Sequence, residues 1–238
     1  MDVYKINDIG ALIKGNPYVG RGIVLGRAPS GRAVSAYFIM GRSANSHNRV
    51  FTLKDGALYT EPFDASKVQD PSLIIYAALR SYENKLIVTN GDQTDTIYQG
   101  LKAGKSFSQA LRSRGFEPDA PNLTPRISGM IRFEKGSFAY EMSILKSADA
   151  EGTACSRYTF EYAALPGLGH FIHTYVTDGS PIPSFQGEPE RVAIPEEIDA
   201  FTENLWSNLD EDNKISLYVR YTEPQTRLYE ERLINKNK

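Results

Sequence analysis

Three polar segments concentrate side chains able to bind or polarise an anion. Val88 to Thr96 crowds Thr89, Asn90, Asp92, Gln93, Thr94 and Asp95 around Gly91, between a predicted strand and a predicted helix. Free backbone N–H groups and the positive end of a helix dipole collect at such a junction. A plain helix start, with Asp92 as cap and Asp95 reaching back, accounts for the same residues. Gly41 to Arg49 leaves an apolar strand and carries Arg42, Ser43, Asn48 and Arg49. Arginine grips a phosphate through two parallel hydrogen bonds, although a solvated loop reads equally well. Asn122 to Gly129 delivers Arg126 to the mouth of a strand behind Asn122, Thr124 and Pro125. A turn ahead of an edge strand explains that segment as well.

Other patterns carry less. His170 and His173 sit three apart in an apolar run that reads as a strand, so they point to opposite faces and share no metal. Arg157 to Tyr162 alternates basic, aromatic and acidic residues, as a half-buried sheet face does. The glycines of Gly20 to Gly26 lie inside a predicted hairpin and make no dinucleotide fingerprint. Cys155 is the lone cysteine, which removes an intramolecular disulfide and a cysteine-rich metal site.

These segments need elements to hold them. Tyr18 to Arg27 and Arg32 to Met40 read as a hairpin joined by Ala28-Pro29-Ser30-Gly31, a type I turn sequence. Val50 to Leu53 and Ala57 to Thr60 read as another. Asp70-Pro71 predicts a helix start, running to about Tyr82, with Leu73, Ile74, Tyr76, Ala77 and Leu79 on a broad apolar surface. Lys85 to Thr89 is a short strand, and Asp92 to Ala103 and Phe107 to Arg114 are helices. Arg126 to Phe133, Ser137 to Leu145, Cys155 to Tyr162 and His170 to Thr177 are strands, and Gly179 to Gly187 is a surface loop. Pro195 opens a helix with Ile198, Phe201 and Leu205 at helical spacing. Lys214 to Thr222 alternates apolar and polar residues and closes the chain as a strand. Antiparallel strands with grouped helices predict an α+β fold, two packed sheets with helices outside, in one domain over 1–238.

The bulk numbers narrow the class. The chain has 238 residues, 41% hydrophobic and 24% charged, ordinary values for a globular protein. Lys plus Arg total 27 against 29 Asp plus Glu, a formal net charge of -2, without the basic excess a nucleic-acid binder needs. No apolar run nears the roughly 20 residues of a membrane span, and no signal peptide is read at the N-terminus. A cytoplasmic placement is expected.

Together, Tyr18 to Arg27, Ser43 to Arg49, Val88 to Thr96 and Asn122 to Gly129 resemble the archaeal-type IMP cyclohydrolases and their bacterial relatives. The resemblance is densest from Tyr18 to Gly129. It implies an αββα sandwich like that of N-terminal nucleophile hydrolases, without their nucleophile, and neither metal nor cofactor. The implied reaction closes the formamido-carboxamide imidazole ribonucleotide, FAICAR, to IMP and water. A purine nucleotide substrate is the implied partner, with a homo-oligomer as a further expectation. Under it, Arg49 and Arg126 are candidates for charge stabilisation, Asp92 for orienting or deprotonating the carboxamide, and Tyr76 for donating to the oxyanion. Arg42, Ser43, Asn48, Asn90, Gly91, Thr94, Asp95, Asn122 and Thr124 are candidates for substrate binding. Pro121 stands where some archaeal members carry an acid, which keeps open a silent nucleotide-binding protein. An amide hydrolase with a self-processed nucleophile such as Thr153 is the other alternative.

Overall fold

The computed structural model describes residues 2, 4–68 and 75–237. Helix α1 (Ile9–Ile13) precedes the hairpin β1 (Arg21–Arg27) and β2 (Ala33–Met40). A short α2 (Ala44–His47) leads into β3 (Arg49–Lys54), β4 (Ala57–Pro62), β5 (Tyr76–Tyr82) and β6 (Lys85–Thr89). Then come α3 (Gln93–Lys102), α4 (Phe107–Leu111) and the strands β7 (Arg126–Glu134), β8 (Ser137–Ser147), β9 (Cys155–Ala163), β10 (Leu168–His173) and β11 (Glu190–Ala193). Helix α5 (Ile198–Asn208) and the hairpin β12 (Lys214–Thr222) and β13 (Tyr229–Asn235) follow.

The strands form two antiparallel sheets, ordered β11-β10-β1-β2-β12-β13 and β3-β4-β5-β6-β7-β8-β9. Their facing surfaces share one core: Ile23, Tyr37 and Ile39 from the first sheet meet Leu58, Val88 and Ile131 from the second. The outer face of the first sheet packs Val24, Phe38 and Leu217 against Ile9 and Ile13 of α1 and Phe201 and Leu205 of α5. The outer face of the second packs Ile87, Met130 and Leu145 against Ile97, Phe107 and Leu111. The layers are therefore helix, sheet, sheet, helix. Burying a side chain such as Phe201 contributes roughly 1.5–3 kcal/mol.

Sheets covered on both faces make central strands apolar throughout, and all eight residues of β2 are buried. That explains one departure from the sequence reading. The run ending at Tyr82 is no helix from Tyr76 onward: Tyr76–Tyr82 is β5, paired with β4 and β6. Tyr76, Ala77, Ala78 and Leu79 are all buried, and such a run looks alike as buried helix or buried strand. The predicted helix start at Asp70-Pro71 lies outside the described residues. A second departure is β13, which follows the strand expected to close the chain. Its Glu230, Glu231 and Arg232 suit an exposed edge but mask the strand pattern. The alternation of β12 also misleads, because all nine of its residues are buried. β10 ends at His173, short of the expected Thr177. The turn at Ala28 to Gly31 closes with Gly31 N–H donating to Ala28 O at 3.0 Å.

Candidate active site

One end of the sandwich gathers the start of β1, the end of β2 and the start of β3. The residues just after β10 and the connection between α4 and β7 join them. There lies a cavity of about 360 Å³. Arg21, Arg42 and Arg49 line it, as do the carboxyls of Glu117 and Asp119.

Arg21 enters on the inner face of β1. Gly20 makes that entry possible: its φ is +79°, and a Cβ there would stand 2.1 Å from Thr174 Oγ1. Thr174 Oγ1 in turn accepts from Arg21 N–H at 3.1 Å. Arg21 Nε is buried with no hydrogen-bond partner. Burial acts to lower the Arg21 pKa, but Glu117 and the phenols of Tyr18, Tyr175 and Tyr76 outweigh it, and the net shift is upward.

Arg49 is 2% exposed. Its Nε donates to Ser46 O at 2.8 Å and its Nη2 to Met40 O at 3.2 Å. Burial, then repulsion from Arg21, lowers its pKa. Arg49 is thus a braced buried cation, not a residue of a solvated loop. Tyr76 does not line the cavity. Its hydroxyl pairs with that of Tyr37 at 2.9 Å, close enough to the two arginines to act on both.

Glu117 is 6% exposed, and its N–H donates to Thr124 O at 2.8 Å. Its carboxyl has no hydrogen-bond or ion-pair partner among the described residues. Burial raises its pKa, opposed by Arg21, Arg126 and Arg49 and reinforced by Asp119. A buried carboxyl with a raised pKa among cations in a cleft has the properties of a general acid–base. Asp119 accepts from Thr124 N–H at 2.7 Å and from the Thr124 hydroxyl, which also bonds Tyr175 OH. Asp119 thereby supplies an acid beside Pro121. Tyr175 stacks on Tyr18 at 5.7 Å, and Arg42 lies over Tyr18 at 5.3 Å while pairing with Asp178.

Ser43 lines the cavity and caps α2 through Ser46 N–H at 3.1 Å. Asn122 lines it and accepts from Ile182 N–H at 3.2 Å, with Thr124 beside it. The Val88 to Thr96 segment sits behind. Asn90 donates to Pro125 O at 2.9 Å and accepts from Ile127 N–H and Gln93 Nε2, each at 2.9 Å. Gln93 Oε1 and Asp92 Oδ1 both accept from Arg126 Nη1, at 2.9 and 2.6 Å. Asp92 also pairs with Arg114, and it makes no side-chain cap. Desolvation acts to raise the Asp92 pKa, yet Arg114 and Arg126 pull it down. Gly91 gives Arg126 room, since a Cβ there would stand 2.7 Å from Nη1 and 3.5 Å from Glu117 Oε1. Thr94 Oγ1 bonds Thr89 Oγ1 at 2.6 Å. Asp95 turns outward to Arg80 at 2.6 Å instead of reaching back to the helix start. Asn48 ties Asp64 through both its backbone groups, at 2.8 and 2.7 Å.

Arg42, Ser43, Arg49, Asn122 and Thr124 therefore share the cavity. Arg126, Asp92, Asn90, Gly91 and Thr94 stand behind it, and Asn48 and Asp95 serve other contacts. The sequence reading missed Arg21, Glu117, Asp119, Tyr18 and Tyr175 as site residues. Arg21 had a signal, a cation between two glycines in an apolar strand. Glu117 had none beyond being an acid near Pro118. Among the described residues no group of three His, Cys, Asp or Glu is placed to hold a metal ion.

The sequence model of the family described as IMP cyclohydrolase-like protein matches residues 18–226. The chain is 32% identical over 180 residues to a protein of Methanopyrus kandleri named IMP cyclohydrolase, covering 71% of this chain and 89% of that relative. It is 33% identical over 119 residues to the protein of that name from Methanothrix thermoacetophila, covering 48% of this chain and 57% of that relative. A match over most of the chain, covering β1 to β12 and every residue that lines the cavity, means that this protein belongs to the IMP cyclohydrolase-like family.

Proposed function

We propose that the protein is an IMP cyclohydrolase, closing FAICAR to IMP with release of water. The observation that carries this reading is the unpaired Glu117 carboxyl facing Arg21 and Arg49 in one cavity. Ring closure needs one group that takes and returns protons and others that hold negative charge on oxygen.

The carboxamide nitrogen attacks the formyl carbon, and the formyl C=O electrons move onto oxygen as the C–N bond forms. Glu117 accepts the proton lost by the carboxamide nitrogen and passes it to that oxygen. The formamido N–H proton follows by the same carboxyl, and the hydroxyl leaves as water while C=N forms. Arg21 and Arg49 hold the oxyanion. Arg42 and Ser43, at the more open side, take the 5′-phosphate, and the stacked Tyr18 and Tyr175 flank the imidazole. Arg126, braced by Asp92 and Gln93, and Tyr76, bonded to Tyr37, position the charge from behind. Holding both reacting groups in one cleft supplies much of the acceleration.

The helix, sheet, sheet, helix layering supports a likeness to the N-terminal nucleophile hydrolase fold, and the core shared by both sheets supports one domain. Thr153 gives no support to an amide hydrolase: it does not line the cavity, and both its N–H and its hydroxyl donate to Asp149. The lone Cys155 supports a reducing, cytoplasmic setting, and symmetric self-association is proposed on the general frequency of such assemblies. Among the described residues no helix is long and apolar enough to cross a membrane.

Purified protein should convert FAICAR to IMP in excess chelator, followed by chromatography. Tight IMP binding without turnover would instead establish a silent nucleotide binder.

A further inference from the structure

A second cavity, of about 370 Å³, lies on the outer face of the six-stranded sheet, between α1 and the segment that follows β10. It shares no lining residue with the first. The two stand back to back: Tyr18 and Tyr175 face the arginine-lined cavity, while their neighbours Val19 and Val176 face this one. Its character is opposite, for no Lys or Arg lines it.

The walls are apolar and aromatic, with Leu12, Ile13 and Val19 on one side and Phe171 and Phe185 on the other. Two polar groups among them are free, and both are acceptors. His173 Nδ1 bonds Tyr175 O at 2.7 Å, and a carbonyl only accepts, so Nδ1 carries the hydrogen. Burial holds the His173 pKa near 4, so Nε2 is a bare acceptor at neutral pH, and it has no partner among the described residues. The half-buried Glu190 carboxyl also has none. Each side-chain amide spends one of its two N–H groups on the protein, Asn16 Nδ2 donating to Val176 O at 2.8 Å and Gln186 Nε2 to Ser184 O at 3.2 Å. A bound molecule must bring donors of its own to satisfy His173 Nε2 and the Glu190 carboxyl, and that carboxyl repels an anion. Aromatic walls with a few fixed polar groups at this volume are the usual composition of a small-molecule site.

We propose that this cavity binds a small flat heteroaromatic molecule that carries N–H donors and no anionic group. Adenine has this chemistry and is the probe. The proposal is independent of the cyclisation chemistry, because neither Glu190 nor His173 touches the arginine-lined cavity.

The test is calorimetric titration of the full chain with adenine, and with benzoate as a flat anionic control. Adenine should bind at one site per chain and benzoate should not. Glu190→Gln should weaken adenine about tenfold, as loss of a charge-assisted acceptor does. Leu12→Trp should block binding, while Arg42→Ala leaves it unchanged. Circular dichroism melts establish that each variant is folded, and cyclisation kinetics should be unaltered in Glu190→Gln. Absence of adenine binding up to about 10 mM, a range that reaches very weak sites, would overturn the proposal. Equal binding of benzoate would do the same. So would weakening by Arg42→Ala and not by Glu190→Gln, which assigns adenine to the arginine-lined cavity.

Discussion

The Glu117 carboxyl and the Arg21 guanidinium line one cavity and act on each other's ionisation, yet no hydrogen bond joins them. A direct ion pair would have neutralised both groups. Separated, each keeps capacity for a substrate atom: the carboxyl can take a proton, and the buried Arg21 Nε can donate to a charged oxygen.

Glu117→Gln should lower kcat by about 10²–10⁴, the usual worth of a general acid–base. KM should change little, since the amide retains the shape. The melting temperature should hold or rise, because the variant removes a buried carboxyl without a partner. Steady-state kinetics and a thermal melt test this, and a kcat within about threefold of the parent, far below the usual effect, would remove Glu117 from the chemistry.

The raised pKa of Glu117 also predicts a pH profile. The active form is the carboxylate, so kcat/KM should climb with pH through a value above the ordinary 4.5 of glutamate. That limb should be absent from residual activity in Glu117→Gln.

Stability should respond to pH through the two buried histidines. Burial lowers His170 and His173 from 6.5 to about 4. A depressed histidine pKa means that the unfolded chain takes up protons first as pH falls. Their contribution is therefore complete above 6.5 and is lost between 6.5 and about 4. A shift of this size corresponds to about 3 kcal/mol per histidine as an upper bound. Glu117 runs the other way, its contribution being present at low pH and lost as pH rises through its raised pKa. Urea unfolding from pH 7.5 to 4, with NMR titration of both imidazoles, measures the balance. Imidazole pKa values near 6.5 would contradict the prediction.

Arg49→Ala should reduce kcat/KM by roughly 10²–10³, as loss of an oxyanion donor does. It should also destabilise the fold by about 1–3 kcal/mol, because Ser46 O and Met40 O lose their donor in a buried site. A solvated loop, which the sequence of Gly41 to Arg49 fits equally well, would leave the fold unchanged on truncation. Arg49→Lys should recover only part of the activity, since an ammonium cannot reproduce the fork. Denaturant melts beside kinetics separate the two effects.

Asp92 and Gln93 hold Arg126 through one Nη atom. Asp92→Ala and Arg126→Ala should therefore combine non-additively in a double-mutant cycle on kcat/KM, with a coupling of about 0.5–3 kcal/mol. Strict additivity would dissolve the brace.

Local chemistry in the sequence settles the β1–β2 turn, the helices α3, α4 and α5, and the strand β6 that leads into Asn90. Turn residues, helix starts and apolar periods act over a few positions, so they are legible one segment at a time. The motif segments likewise carry Arg42, Arg49 and Thr124 into the cavity. Two kinds of information are absent from such segments. One is which face of a strand is covered: β5 reads as helix because burial on both sides erases the alternation that marks a strand, and β12 reads as half-exposed because its alternating polar residues Ser216, Arg220 and Thr222 are buried as well. The other is convergence. Arg21, Arg49, Glu117 and Tyr175 come together only because the two sheets stack and the chain after β10 returns beside the start of β1. The sequence supplies the charges, but the desolvation that raises the Glu117 pKa against the pull of Arg21, Arg126 and Arg49 exists only once the layers have closed around it.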